Sequence, residues 1–163
     1  LKYPKHSILP MKVIRFTSFF TLLFFFAAPL FIVQAQQNVT KANIAISGYD
    51  VVSYHQSEPI LGNSKYAVIY NGISFLFENA QNKDTFESNP EKYAPAYGGW
   101  CAYAMGLNGD KVSVDPESYT LEDGKLYLFY KSTFTDTRKK WLKNTPKLKA
   151  MADINWGKII AQQ

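Results

Sequence analysis

The chain has 163 residues, 18 Lys and Arg against 13 Asp and Glu, 47% hydrophobic and 16% aromatic residues, and one Cys. That composition can bury one core and excludes a disordered or collagen-like chain. A lone Cys excludes an internal disulfide framework and multi-Cys zinc or iron–sulfur sites. The net charge of +5 gives no argument for nucleic acid: Lys2, Lys5, Lys12 and Arg15 precede residue 36, leaving 14 basic against 13 acidic residues beyond it. Within that remainder, residues 138–163 carry 7 basic residues and 1 acidic one. They form a basic strip on an acidic body.

Residues 1–10 read as an upstream start that takes no part in folding. Residues 11–35 read as an export signal, with Lys12 and Arg15 before an apolar run from Phe16 to Val33, then the small-residue pattern Val33-Gln34-Ala35. Cleavage would place Gln36 first in a periplasmic or secreted product with no stable membrane insertion. The alternative is an uncleaved anchor, since about 18 apolar residues can just span a bilayer. Thr17, Ser18 and Thr21 dilute that run and Pro29 interrupts it.

Residues 36–42 are polar and read as a flexible lead-in to a domain over 43–160. Lys65 to Tyr70 and Ile73 to Phe77 are β-rich runs joined by Asn71-Gly72, a pair suited to a tight hairpin turn. Asn79 to Ser88 is a short helix with Phe86 inward, stopped by Pro90, and a further turn covers Glu91 to Ala94. A second hairpin joins Tyr119 to Leu121 with Lys125 to Tyr130 across Glu122-Asp123-Gly124, with Leu126, Leu128 and Tyr130 on one face. Ser132 caps a helix to about Lys143 with Phe134, Trp141 and Leu142 inward. Thr145 then caps a helix that has Pro146 at its start and Leu148, Met151 and Ile154 inward. The expected fold is α+β: two β-hairpins forming an antiparallel sheet, short helices, and two C-terminal helices packed on it. The buried set is Phe75, Phe77, Phe86, Leu126, Leu128, Trp141 and Leu142.

Unusual residues concentrate around Cys101. Gly98 and Gly99 allow backbone conformations closed to other residues, and they place the thiol beside a turn where another group can approach. On a helix, Cys101 and Met105 share a face. With His55, the one His of the mature chain, they form a candidate soft-metal set suited to Cu(I). Tyr97, Gly98, Gly99, Trp100 and Tyr103 would shape a pocket around the thiol. The bland reading is equally concrete: a buried Cys packed as a small hydrophobe, with Met105 filling a gap. Asp50, Ser53 and His55 include the residue types of a hydrolase triad, but they crowd into six residues without a nucleophile elbow. Asp50 is therefore read as a turn or capping residue.

Several separated motifs carry a family resemblance. Lys65 to Tyr93, with Phe75, Phe77, Phe86 and Asn89-Pro90-Glu91-Lys92-Tyr93, resembles the core of the YHS domain family. Gly48-Tyr49-Asp50, Tyr97-Gly98-Gly99-Trp100-Cys101-Ala102-Tyr103-Ala104, Asp115-Pro116-Glu117, Asp123-Gly124-Lys125-Leu126-Tyr127-Leu128 and Trp156 resemble its exported, stand-alone branch. Together these cover about residues 43–157. The resemblance implies a small α+β domain and, for the wider family, metal handling. In some members of that branch selenocysteine occupies the position matching Cys101, which favours a reactive or ligating thiol there. Metal-binding members carry cysteines where this chain has Ser53, Glu78 and Asn82, and the eponymous histidine falls near Ala67 or Val68, so the usual ligand set is missing.

The resulting expectation is a non-enzymatic exported domain whose Cys101 serves soft-metal binding, with copper the leading candidate, or redox chemistry. The alternative is a binding module that uses the aromatic pocket or the basic C-terminal strip to hold a small molecule or an envelope protein.

Overall fold

The structure is a computed structural model that describes residues 37–162 apart from Ser57. The upstream start, the export signal and the cleavage point before Gln36 lie outside the described residues.

The first hairpin pairs β1 (Asn63–Tyr70) with β2 (Ile73–Phe77), with Val68 opposite Phe75 and Tyr70 opposite Ile73. Asn71 and Gly72 take φ of 50° and 76°, the left-handed pair that a two-residue hairpin turn requires. Asp123 and Gly124 do the same, at 52° and 72°, between β3 (Asp115–Glu122) and β4 (Lys125–Phe129). Each hairpin is a two-stranded antiparallel sheet of its own. α1 (Ala80–Ser88) starts where the Asn79 side chain accepts the Asn82 N–H at 2.8 Å, and Pro90 opens the single turn α2 (Pro90–Tyr93). α3 (Ala102–Asn108) ends on Gly109, whose φ of 82° closes the helix.

Two hydrophobic cores result, and β4 separates them. Ile73, Phe75 and Phe77 alternate inward from β2 onto Phe86 and the 51–54 turn, and Leu126 and Leu128 complete this first core. Phe86 stacks on Phe75 with ring centroids 4.9 Å apart, a burial that contributes about 1.5–3 kcal/mol. The intervening residues of β4, Tyr127 and Phe129, face a second core with Ala102, Met105, Trp141 and Ala152. The run Lys125-Leu126-Tyr127-Leu128-Phe129 is apolar on both faces because both are covered. Tyr130, expected inward with Leu126 and Leu128, lies beyond the strand and is exposed. Among the described residues, all buried hydrophobic side chains lie between Ala45 and Ala152, within one compact unit.

The C-terminal helices pack around the second core, with corrections to their boundaries and faces. α4 covers only Thr137–Trp141 and is capped by Asp136, which accepts the Arg138 and Lys139 N–H groups at 3.1 and 3.4 Å. Ser132 cannot cap it because Lys131 and Asp136 first close a loop as a β-bridge. That loop leaves Phe134 97% exposed, and Leu142, one position past the inward Trp141, is 57% exposed. α5 runs Thr145–Ile160 after Asn144 as its flanking residue, so Thr145 is the first helical position and not the cap. Its inward residues are Leu148, Ala152, Trp156 and Ile159, while Met151 and Ile154 face outward. A spacing of three drifts around a 3.6-residue helix, and the four-residue step through small Ala152 keeps to one face. This close seam explains Gly106 on α3: a methyl there would overlap the Leu148 carbonyl of α5.

Candidate functional site

Pro95 leads into a 3-10 turn over Ala96–Gly99 in which Tyr97, Gly98 and Gly99 take φ of 52°, 61° and 80°. For the glycines this is free, but for Tyr97 it is strained and must be held from outside. Two contacts hold it. The Tyr97 hydroxyl donates to Asp153 Oδ1 on α5 at 2.8 Å, and its ring tilts against Tyr127 with centroids 5.8 Å apart. Asn38 clips the opposite side, its N–H donating to the Gly98 carbonyl at 2.8 Å and its Nδ2 to the Gly99 carbonyl at 3.0 Å. The expected flexible lead-in is therefore tied down at Asn38, whose backbone and side chain both donate to carbonyls of the turn.

Beside the turn opens a cleft of about 300 Å³. Tyr97 and Tyr127 give it an aromatic floor, Trp156 an aromatic side, and Gln37, Lys125 and Asp153 a polar rim. An adjoining hollow of about 200 Å³ shares Gln37, Pro95 and Lys125 with it. Burial, reinforced by the Asp153 hydrogen bond, pushes the Tyr97 phenol up from 10.0, and burial does the same at Tyr127. Both rings are therefore neutral near pH 7. Burial lowers the Lys125 ammonium from 10.5, and Lys125 Nζ donates to the Glu91 carbonyl at 2.7 Å. Lys149 adds a cation 5.9 Å from the Tyr127 ring centre, shared with Asp123 at 3.3 Å. Flat apolar surface with a donor and an acceptor at its edge is the composition of a small-molecule site.

Cys101 does not open onto this cleft as expected. It is completely buried at the start of α3, where Sγ accepts the Tyr130 N–H at 3.3 Å and lies 3.4 Å from Thr137 Oγ1. The glycine turn stands beside it, but the chain turns the thiol inward, under the loop that leads from β4 to α4. Met105 is buried one helical turn on, its N–H bonded to the Cys101 carbonyl at 3.0 Å, with its side chain filling the second core. His55 sits at the rim of the first core, edge-on to Tyr93 at 5.0 Å, where burial and then the charges of Lys92 and Lys125 lower its pKa from 6.5. Among the described residues no group of three or more His, Cys, Asp or Glu side chains is placed to hold a metal ion. Of the aromatic set, Tyr97 lines the cleft with Gly98, whereas Trp100 and Tyr103 pack partly buried against the second core. Lys140 lies 5.8 Å from the Tyr103 ring centre.

Ser53, Glu78 and Asn82 converge in space on Asp50. This fully buried carboxylate accepts the Val52 and Ser53 N–H groups on Oδ1 at 2.8 and 3.3 Å. On Oδ2 it accepts the Glu78 N–H and Asn82 Nδ2 at 3.0 and 2.7 Å. Ser53 Oγ donates to the Asp50 carbonyl at 2.7 Å, and Gln56 Nε2 donates to Asn82 Oδ1 at 2.9 Å. These contacts form a satisfied hydrogen-bond network, and Asp50 is the capping residue its sequence suggested.

Sequence reasoning missed Gln37, Lys125, Tyr127 and Asp153 as cleft residues. Asp153 had one available signal: it stands three residues before Trp156, hence beside it on a helix. Comparison with protein-family models, curated proteins and solved structures returned no match to this chain.

Proposed function

We propose that this is an exported, YHS-like binding module that holds a small molecule in the Tyr97–Tyr127–Trp156 cleft without turning it over. The observation that carries the reading is the strained turn at Tyr97, fixed by Asp153 so that neutral aromatic rings and a polar rim converge on one opening. Backbone strain that the surroundings hold in place is characteristic of ligand sites. The cleft suits a compound with one flat face to lie on the partly exposed Trp156 and polar groups at its edge to meet Asp153 and Lys125. Sugars, nucleosides and aromatic amino acids have this form. The resemblance to the exported YHS branch supports the reading through its motif at residues 97–104, whose first two residues, Tyr97 and Gly98, line the cleft. Cys101, by contrast, would have to leave both its polar contacts and its cover to act as a ligand or nucleophile.

A thermal-shift panel of monosaccharides and oligosaccharides, nucleosides, and free amino acids tests the proposal. The expected result is at least one class that raises the melting temperature of the wild-type protein and has no effect on Trp156→Ala. A panel without any such response would overturn it.

A further inference from the structure

The loop between β4 and α4 has features that the cleft does not use. Phe134 at its tip is 97% exposed, the most exposed large hydrophobic side chain among the described residues. The exposure is not slack, since the base of the loop is fixed from several sides. The Thr137 N–H and Oγ1 both donate to the Tyr130 carbonyl, at 3.1 and 2.7 Å, and Ser132 N–H donates to the Thr135 carbonyl at 2.8 Å. Cys101 Sγ lies beneath, touching both Tyr130 and Thr137. On α4, Thr137 and Trp141 are buried and Lys139 between them is exposed, as are Leu142 and Lys143 just past the helix. Residues 131–149 carry Lys131, Arg138, Lys139, Lys140, Lys143, Lys147 and Lys149 against Asp136 alone. Lys131 and Lys143 have no carboxylate in ion-pair range among the described residues, and Lys139 reaches Asp136 only at 3.9 Å.

We infer that this face docks on an anionic phospholipid surface, with Phe134 inserted at the headgroup boundary and Lys131, Lys139 and Lys143 set against lipid phosphates. An exposed aromatic ring on a pinned loop, flanked in the chain by Lys131 on one side and the basic 138–149 stretch on the other, fits a bilayer. The bilayer accepts a single apolar wedge and supplies diffuse negative charge, whereas a protein partner would need a matching hollow. Lysine stems can lie along the headgroup boundary while keeping their charge in water. The association is peripheral: no helix among the described residues is long and apolar enough to cross a membrane.

The test is cosedimentation of residues 36–163, which hold every buried residue of both described cores and omit the apolar run, so that any binding comes from the folded unit. The vesicles are phosphatidylcholine alone or phosphatidylcholine with one quarter phosphatidylglycerol. Binding is expected at least tenfold stronger on the anionic vesicles and lost at about 0.5 M salt, where screening acts within about 4 Å. Phe134→Ser should weaken it about threefold or more. The Lys131→Gln, Lys139→Gln, Lys143→Gln triple variant should weaken it at least tenfold, at roughly fivefold per lysine near the surface. Both variants alter exposed side chains, and circular dichroism should find them folded as wild type. Equal binding to both vesicles, no binding to anionic vesicles, or a folded triple variant that binds as wild type would each overturn the inference.

Discussion

The Tyr97 hydroxyl and the Asp153 carboxylate, 56 positions apart in the chain, meet at 2.8 Å and fasten the strained 96–99 turn to α5. Tyr97→Phe removes this bond and keeps the ring. It should lower unfolding free energy by about 1 kcal/mol, the net worth of one intramolecular hydrogen bond, and loosen the cleft without disturbing either core. Urea unfolding of the two proteins checks the value, and a loss of several kcal/mol would mean that this bond carries more than the net worth of one hydrogen bond.

Gly106 sets how closely α3 and α5 approach, and so where Asp153 and Trp156 stand. Gly106→Ala adds a methyl against the Leu148 backbone. Helix propensity gains about 1 kcal/mol from the change, whereas overpacking against backbone costs about 1–3 kcal/mol. Net destabilisation is the expected outcome in thermal or urea unfolding, and a more stable variant would show that the helices separate freely.

A buried Cys101 predicts slow chemistry. Ellman's reagent should not react with the folded protein over minutes and should find one thiol per chain in denaturant. Cys101→Ala leaves the Tyr130 N–H without its sulfur acceptor and should cost about 1–3 kcal/mol. Cys101→Ser, which keeps an acceptor, should cost less. Rapid stoichiometric labelling of the native protein would contradict the geometry.

His55 gives stability a pH dependence of known sign. Burial, then Lys92 and Lys125, lower its folded pKa below the ordinary 6.5. As pH falls through 6.5 the unfolded chain takes up the proton first, so stability is fully present above that value and declines below it until the folded pKa is passed. Unfolding free energies of wild type and His55→Phe, measured between pH 7.5 and 5, should diverge with the wild type losing more. Parallel curves would mean that His55 is protonated equally in both states.

What the sequence disclosed follows the range of the interactions. Asn71-Gly72 and Asp123-Gly124 specify hairpins through local backbone preference, and Asn79 and Pro90 bound α1 in the same way, so these elements were legible. The inward face of α5 was misread past Leu148 because a spacing of three drifts around the helix, whereas the line packed on the second core steps by four through Ala152. Phe134 was assigned inward by its chemistry, but the Lys131–Asp136 bridge forms a loop where a helix was expected. The glycine turn was found, but not the direction of the thiol beside it. That direction depends on Tyr130 and Thr137, 29 and 36 positions away. The cleft likewise joins residues 37, 97, 125, 127, 153 and 156, which no local pattern links.

Titration calorimetry with the tightest-binding compound of the sugar, nucleoside and amino-acid panel, on wild type, Trp156→Ala and Cys101→Ser, tests most directly whether the aromatic cleft carries recognition. The account predicts affinity weakened about tenfold or more in Trp156→Ala, the loss of one aromatic contact face, and unchanged within about threefold in Cys101→Ser. Affinity abolished in a folded Cys101→Ser and retained in Trp156→Ala would contradict it and return the function to the thiol.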